Sequence, residues 1–178
     1  MLDDHGLTFD CWGYHTQLTE VAELAAAFPN VTIVLNHIGG PIACGLYEGQ
    51  RAGTVFEVWK DGIRLVAEIP NVVVKLGGCG MPSYGFGHHI ADTGPPSSQI
   101  LAAAWKPYFE IVIDAYGPER CMSESNFPVD KVSCSYTSLW NAFKLVAEEL
   151  GMTRAQKHDL FFATAARVYS LSSSSLGQ

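Results

Sequence analysis

Basic residues are scarce in this chain. Eleven Lys and Arg stand against 18 Asp and Glu, a net charge of −7, and no run of basic residues occurs. A surface of that sign repels a phosphate backbone, so nucleic acid is not an expected partner. Long apolar runs are missing too: no stretch approaches the ~20 residues of a bilayer-spanning helix, and no membrane role is expected. Met1-Leu2-Asp3-Asp4 is acidic with no apolar stretch behind it, which does not read as a secretory signal. The five cysteines, at 11, 44, 79, 121 and 134, are odd in number and form no C-x-x-C pair. That excludes a disulfide framework and a structural zinc site, and it fits a reducing, cytoplasmic setting. G-x-x-x-x-G-K-[ST], G-x-S-x-G and H-E-x-x-H are all absent. A phosphate-cradling loop, a serine-hydrolase elbow and a zinc-protease helix are thereby excluded.

What remains is ordinary globular material. The 178 residues are 48% hydrophobic and 16% charged, enough for one domain with a core. Short β-type runs alternate with longer helical patterns. A strand is predicted over 7–12, then a helix over 17–28 with Leu18, Val21, Leu24, Ala25 and Phe28 on one face. "VTIVLNH" (31–37) and "VVVKLG" (72–77) are β-branched runs of the kind covered on both faces. Helices are predicted near 52–69, 98–116, 136–150 and 153–168, and "RCMSES" (120–125) supplies a fourth strand. Trp59, Trp105 and Trp140 fall at helical spacing and read as core. Twice a helix ends in Pro-Asn directly before a β-branched run, at Pro29-Asn30 and Pro70-Asn71. The alternation predicts an α/β fold with a parallel sheet. Between them, 77–97 forms a long Gly- and Pro-rich loop carrying His88 and His89, which read as solvated. "SSSSLGQ" (172–178) reads as a disordered tail.

Parallel α/β folds gather ligands at the carboxyl ends of their strands. The first predicted strand ends in Asp10, Trp12, Tyr14 and His15, and the second in Asn36-His37 before Gly39-Gly40. Lys75 closes the third, and Glu124-Ser125-Asn126 the fourth. Three polar residues in a row are costly inside a strand, since a buried unpaired polar group loses about 1–3 kcal/mol. They fit the rim of a site. Side chains alternate along a strand, so Glu124 and Asn126 are expected on one side and Ser125 on the other. His15, His37, Lys75 and Asn126 are expected to open at one shared rim.

The phrases "FDCWGYHTQL", "FPNVTIVLNHIGGP", "NVVVKLGG", "ERCMSESNFPVD" and "FFATAARVYSL" together resemble the amidohydrolase-related TIM-barrel hydrolases, which include lactonases and, in sister groups, decarboxylases. The resemblance implies a partial (β/α)8 TIM barrel over residues 1–171, corresponding to about strands five to eight with their helices. It implies hydrolysis of a small carbonyl substrate (lactone, ester or amide) by activated water. On this likeness His37, Asn126 and Glu124 are the catalytic candidates. His15, Lys75 and Ser125 would bind substrate, and His15 and His37 would serve as ligands for a divalent metal, zinc or manganese. Asn126 stands where many relatives carry a metal-ligating aspartate. An amide cannot take a proton from water as a carboxylate can, and Glu124 is the proposed replacement. The family's His-x-His pair, from its first strand, has no counterpart here. Metal binding is therefore expected to be weak or absent, as in relatives that work without metal, and the chain is expected to begin about halfway through the barrel. Half a barrel has two strand edges and an inner face without a partner, so self-association or a companion amino-terminal half is expected, with the isolated chain inactive. Alternative readings are a non-catalytic truncated fragment that keeps the fold signature, a decarboxylase, and a flavodoxin-like binding domain.

Overall fold

The computed structural model describes residues 2–90, 92 and 94–171, so the tail expected at 172–178 lies outside the described residues. Four β/α units follow one another. They comprise β1 (Phe9–Cys11), α1 (Leu18–Ala27), β2 (Ile33–Leu35), α2 (Thr54–Ala67), β3 (Val72–Leu76), α3 (Ser98–Tyr116), β4 (Cys121–Ser123) and α4 (Tyr136–Glu149). A last helix runs as α5 (Arg154–His158), a π-helical turn (Asp159–Ala163) and α6 (Thr164–Val168). The sheet has the order β1-β2-β3-β4, and every pairing is parallel. An α/β fold with a parallel sheet is therefore present, as the alternation predicts.

The helices form where their apolar spacing allows. α2 buries Val55, Trp59, Ile63 and Val66 along one stripe, and α3 buries Leu101, Trp105, Phe109 and Val112. Both stripes pack on the face of the sheet that carries Ile33, Leu35, Val72, Val74 and Leu76. Side chains of that size contribute about 1.5–3 kcal/mol each when fully buried. Ser97, Ser135 and Thr153 cap α3, α4 and α5 by accepting from the backbone N–H of Ile100, Ser138 and Gln156. One of the two Pro-Asn steps has a further role. Asn71 Nδ2 reaches the carbonyls of Ala25, Phe28 and Val31 at 2.8–3.1 Å, tying the end of α1 to the start of β2.

The opposite face of the sheet is the one a closed barrel would turn inward. It carries Asp10, Val34, Val73, Lys75 and Met122 in register. Across part of this face α6 packs, with Ala165 and Val168 resting on Val34, Val73 and Met122. Thr164 Oγ1 and Arg167 Nη2 both donate to Glu119 O, holding that helix to the entry of β4. β1 and β4 remain edge strands, and Phe9 on β1 is 41% exposed.

Each strand is shorter than the stretch predicted for it. β2 stops at Leu35 and β4 at Ser123, because the residues after them adopt left-handed backbone: His37 (φ 55°), Ile38 (φ 50°) and Asn126 (φ 51°). For a β-branched residue such as Ile38 that conformation is a real outlier. It is over-determined here, since Trp59 Nε1 donates to Ile38 O at 2.6 Å and Tyr84 Oη donates to His37 O at 2.9 Å. Strain held in place at a strand end is characteristic of functional sites.

Candidate active site

At the carboxyl end of the sheet the strained turn after β2 meets the strand end of β4. His37 Nδ1 lies in close contact with Glu124 Oε1, and the His37 backbone N–H donates to the same oxygen at 3.2 Å. An ionised carboxylate only accepts, so this contact places the imidazole proton on Nδ1 and leaves Nε2 as the basic atom. Both side chains are mostly covered, at 17% and 16% exposure, yet both keep an opening to solvent. Two glycines make the approach possible. A Cβ on Gly77 would stand 2.2 Å from Glu124 Cγ, and one on Gly78 would stand 2.7 Å from His37 Cβ. Trp12 sets its edge against the His37 ring, with centroids 6.0 Å apart.

Lys75 lies on the same face of the sheet. Its Nζ is 2.6 Å from Asp10 Oδ2, and Tyr169 Oη donates to the Asp10 carboxylate at 3.0 Å. Burial works against the ammonium charge, but Asp10, Tyr169 and the nearby Glu124 outweigh it and hold the Lys75 pKa above the ordinary lysine value. Lys75 is thus a fixed cation in this site and cannot serve as a base near neutral pH.

Asn126 belongs to a second, deeper layer. Its Nδ2 donates to Asp130 Oδ1 at 2.7 Å, while Gly80 N donates to Asp130 Oδ2 at 2.9 Å. Asp130 is completely buried. Burial raises its pKa to about 6, against the lowering effect of Gly80, Asn126 and the field of His37. The parity expectation therefore holds as far as Glu124 and fails at Asn126, because the strand has ended and the backbone has turned. Ser125 serves the turn itself, its Oγ accepting from Phe127 N at 3.3 Å.

His15 sits elsewhere. It is 4% exposed, with its backbone N–H on Gly40 O at 2.8 Å and its ring edge-on to Tyr47. It lines a hollow between α1 and α2 with Leu18, Asp61 and Leu65. Burial lowers its pKa, and its Nδ1 has no hydrogen-bond partner among the described residues. No hydrogen bond, ion pair or ring contact joins it to His37 or Glu124 among the described residues. The structure thus brings together His37, Glu124 and Lys75, places Asn126 and Ser125 just behind them, and leaves His15 apart. Two participants escaped the sequence reading of the site, Asp130 and Tyr169, while Asp10 was placed at its strand end without a role. Asp130 had a signal, being a lone acid one helical turn past Asn126 in "NFPVDKV". Tyr169 had none.

The donors present do not make a zinc centre. No group of three His, Cys, Asp or Glu side chains able to hold a metal ion occurs among the described residues, whereas zinc sites take at least three protein ligands. His37 Nδ1 is already committed to Glu124.

The chain thus presents a parallel β/α sheet with a histidine–carboxylate pair at its carboxyl rim. The family model for amidohydrolases matches residues 1–171, and the chain belongs to that family. It is 30% identical over 171 residues to the L-fucono-1,5-lactonase of Burkholderia multivorans, covering 96% of this chain and 53% of that protein. It is 26% identical over 182 residues to the L-rhamnono-gamma-lactonase of Scheffersomyces stipitis, covering 96% and 51%. Among solved structures, an amidohydrolase from Burkholderia multivorans with bound zinc superposes with a TM-score of 0.78 at 27% identity, over 96% of this chain and 55% of that one. The chain therefore spans about half the length of the relatives it matches.

Proposed function

We propose that this chain carries the hydrolytic half-site of a sugar-lactone hydrolase. The observation that carries the reading is the His37–Glu124 pair set beside the Lys75 ammonium at one strand rim. Glu124 orients the imidazole, and His37 Nε2 takes a proton from water. The water oxygen attacks the lactone carbonyl carbon, and the charge growing on the carbonyl oxygen faces Lys75. The ring C–O bond then breaks, and the proton held by His37 passes to the departing alkoxide, giving the open hydroxy acid. These steps use this chain's own residues, whose donor set among the described residues does not by itself make a metal site.

The charges at the rim favour an uncharged polyol substrate. Lys75 is already matched by Asp10 and stands near Glu124, so an added substrate carboxylate would meet net negative charge. Sugar hydroxyls, by contrast, can donate to Asp10 and Glu124. The similarity to two sugar lactonases supports the same class. In this reading residues 1–171 form one domain equivalent to strands five to eight of a (β/α)8 barrel. The other units come from a companion segment or a second copy, and His15 is a packing residue.

The test is hydrolysis of L-fucono-1,5-lactone followed in a pH-stat. The chain is assayed alone and complemented with the first four β/α units of the Burkholderia lactonase. Turnover in either preparation, lost in His37→Ala, is expected. Absence of turnover in both overturns the hydrolase reading. It would favour the rival supported by Asn126 and the incomplete donor set, a non-catalytic protein that keeps the family fold.

A further inference from the structure

Asp130 is a completely buried acid that the proposed steps do not use. Its two oxygens are matched by two donors from different loops: Gly80 N–H after β3 at 2.9 Å and Asn126 Nδ2 after β4 at 2.7 Å. The space it occupies is kept free by the absence of a side chain at Gly80, where a Cβ would stand 2.7 Å from Asp130 Cβ and Cγ. A carboxylate accepts only, so the Asn126 amide has one permitted orientation. A flip would set Oδ1 against Asp130 Oδ1, two lone-pair atoms facing each other at a buried carboxylate. Asn126 Oδ1 is consequently turned away from Asp130, with no hydrogen bond of its own among the described residues. Its left-handed φ of 51° is one that Asn tolerates better than most residues.

We infer that Asp130 is a positioning residue: it locks the Asn126 carboxamide with Oδ1 presented as a fixed acceptor for the attacking water or a substrate hydroxyl. This rests on the hydrolase reading. Asn126 then acts through its orientation and needs no charge, with Asp130 supplying the anion one layer behind it. Two bonded residues divide a task that a single rim carboxylate could perform.

The pair can be exchanged. In Asp130→Asn the new amide must accept from Gly80 N–H, so its Nδ2 faces Asn126 and forces that amide to flip, presenting NH2 instead of oxygen. In the double variant Asn126→Asp/Asp130→Asn the amide at 130 donates to the carboxylate at 126, whose second oxygen again faces outward. A purely structural role gives no reason for such a rescue.

Two readouts test this. First, with Asn side chains 15N-labelled in the wild-type chain, the Asn126 amide protons are expected to exchange with solvent at least about tenfold more slowly than those of Asn30 and Asn141. Fast exchange at Asn126 in the folded protein overturns the proposal. Secondly, in the preparation that hydrolyses the lactone, Asp130→Asn is expected to lower kcat about 100-fold, the scale of a misplaced catalytic contact, with KM within about threefold. The double variant is expected to regain most of that loss. A folded double variant no faster than Asp130→Asn overturns the proposal. If wild type hydrolyses no lactone, the hydrolase reading fails by itself, and amide exchange still decides how Asn126 is held.

Discussion

Glu124 Oε1 is held twice by one residue, by the ring of His37 and by its backbone N–H. His37 has left-handed backbone, and its N–H points to the end of β4, the next strand but one in sequence. The pair is therefore set by main-chain geometry as much as by side-chain choice.

Replacing the acid alone should separate orientation from charge. Glu124→Gln can still accept from the His37 backbone and ring, but it cannot stabilise an imidazolium. Lactone hydrolysis is expected to fall about 10²–10⁴-fold, with the thermal midpoint nearly unchanged. A variant within threefold of wild type in the pH-stat assay would remove Glu124 from the mechanism.

Gly78 and Gly87 both have positive φ, 70° and 75°, but a Cβ meets His37 at the first and open space at the second. Gly87→Ala should lose about 1 kcal/mol from backbone strain alone. Gly78→Ala should lose more and should also displace His37, with hydrolysis falling in proportion. Urea denaturation and turnover measured on both variants distinguish the two effects.

The buried Asp130 makes stability depend on acid pH. Its folded pKa, raised to about 6 by burial, exceeds the ordinary 3.8, so between those values the folded chain keeps a proton that the unfolded chain releases. Stability from this group is greatest below pH 4 and declines as pH rises to about 6. At about 1.4 kcal/mol per pH unit the span amounts to ~3 kcal/mol. Urea midpoints for wild type and Asp130→Asn should therefore move apart in the variant's favour as pH rises from 4 to 6.5. A constant difference would contradict the burial argument.

Zinc titrated into the chain should give no one-to-one isotherm, and a chelator should leave the thermal midpoint unchanged. His15→Phe should stay within about 1 kcal/mol of wild type, because it removes a buried nitrogen that has no partner among the described residues. A stoichiometric zinc isotherm abolished by His15→Phe would reinstate His15 as a ligand.

The β-branched runs at 31–37 and 72–77 disclose the parallel sheet because a strand covered on both faces has no room for polar alternation. Alternation also carries Glu124 to the face of Lys75. It stops working at Asn36 and Asn126, where left-handed residues end the strand and local propensity says nothing of the sign of φ. Tyr169 and Asp10 meet across 159 positions, a separation invisible to any short window. His15 differs for another reason: proximity in sequence to a strand end suggested the rim, while the 3-10 turn at His15–Gln17 folds it among the helices.

That long-range meeting also bears on how the molecule assembles. Because the Asp10 carboxylate waits for a phenol 159 positions downstream, β1 cannot complete its polar partnerships until synthesis has passed Tyr169. Loop-closure entropy over such a span slows the final step. A ribosome-bound intermediate lacking residues 154–171 would show Val34, Val73 and Met122 to any chaperone that binds greasy surfaces.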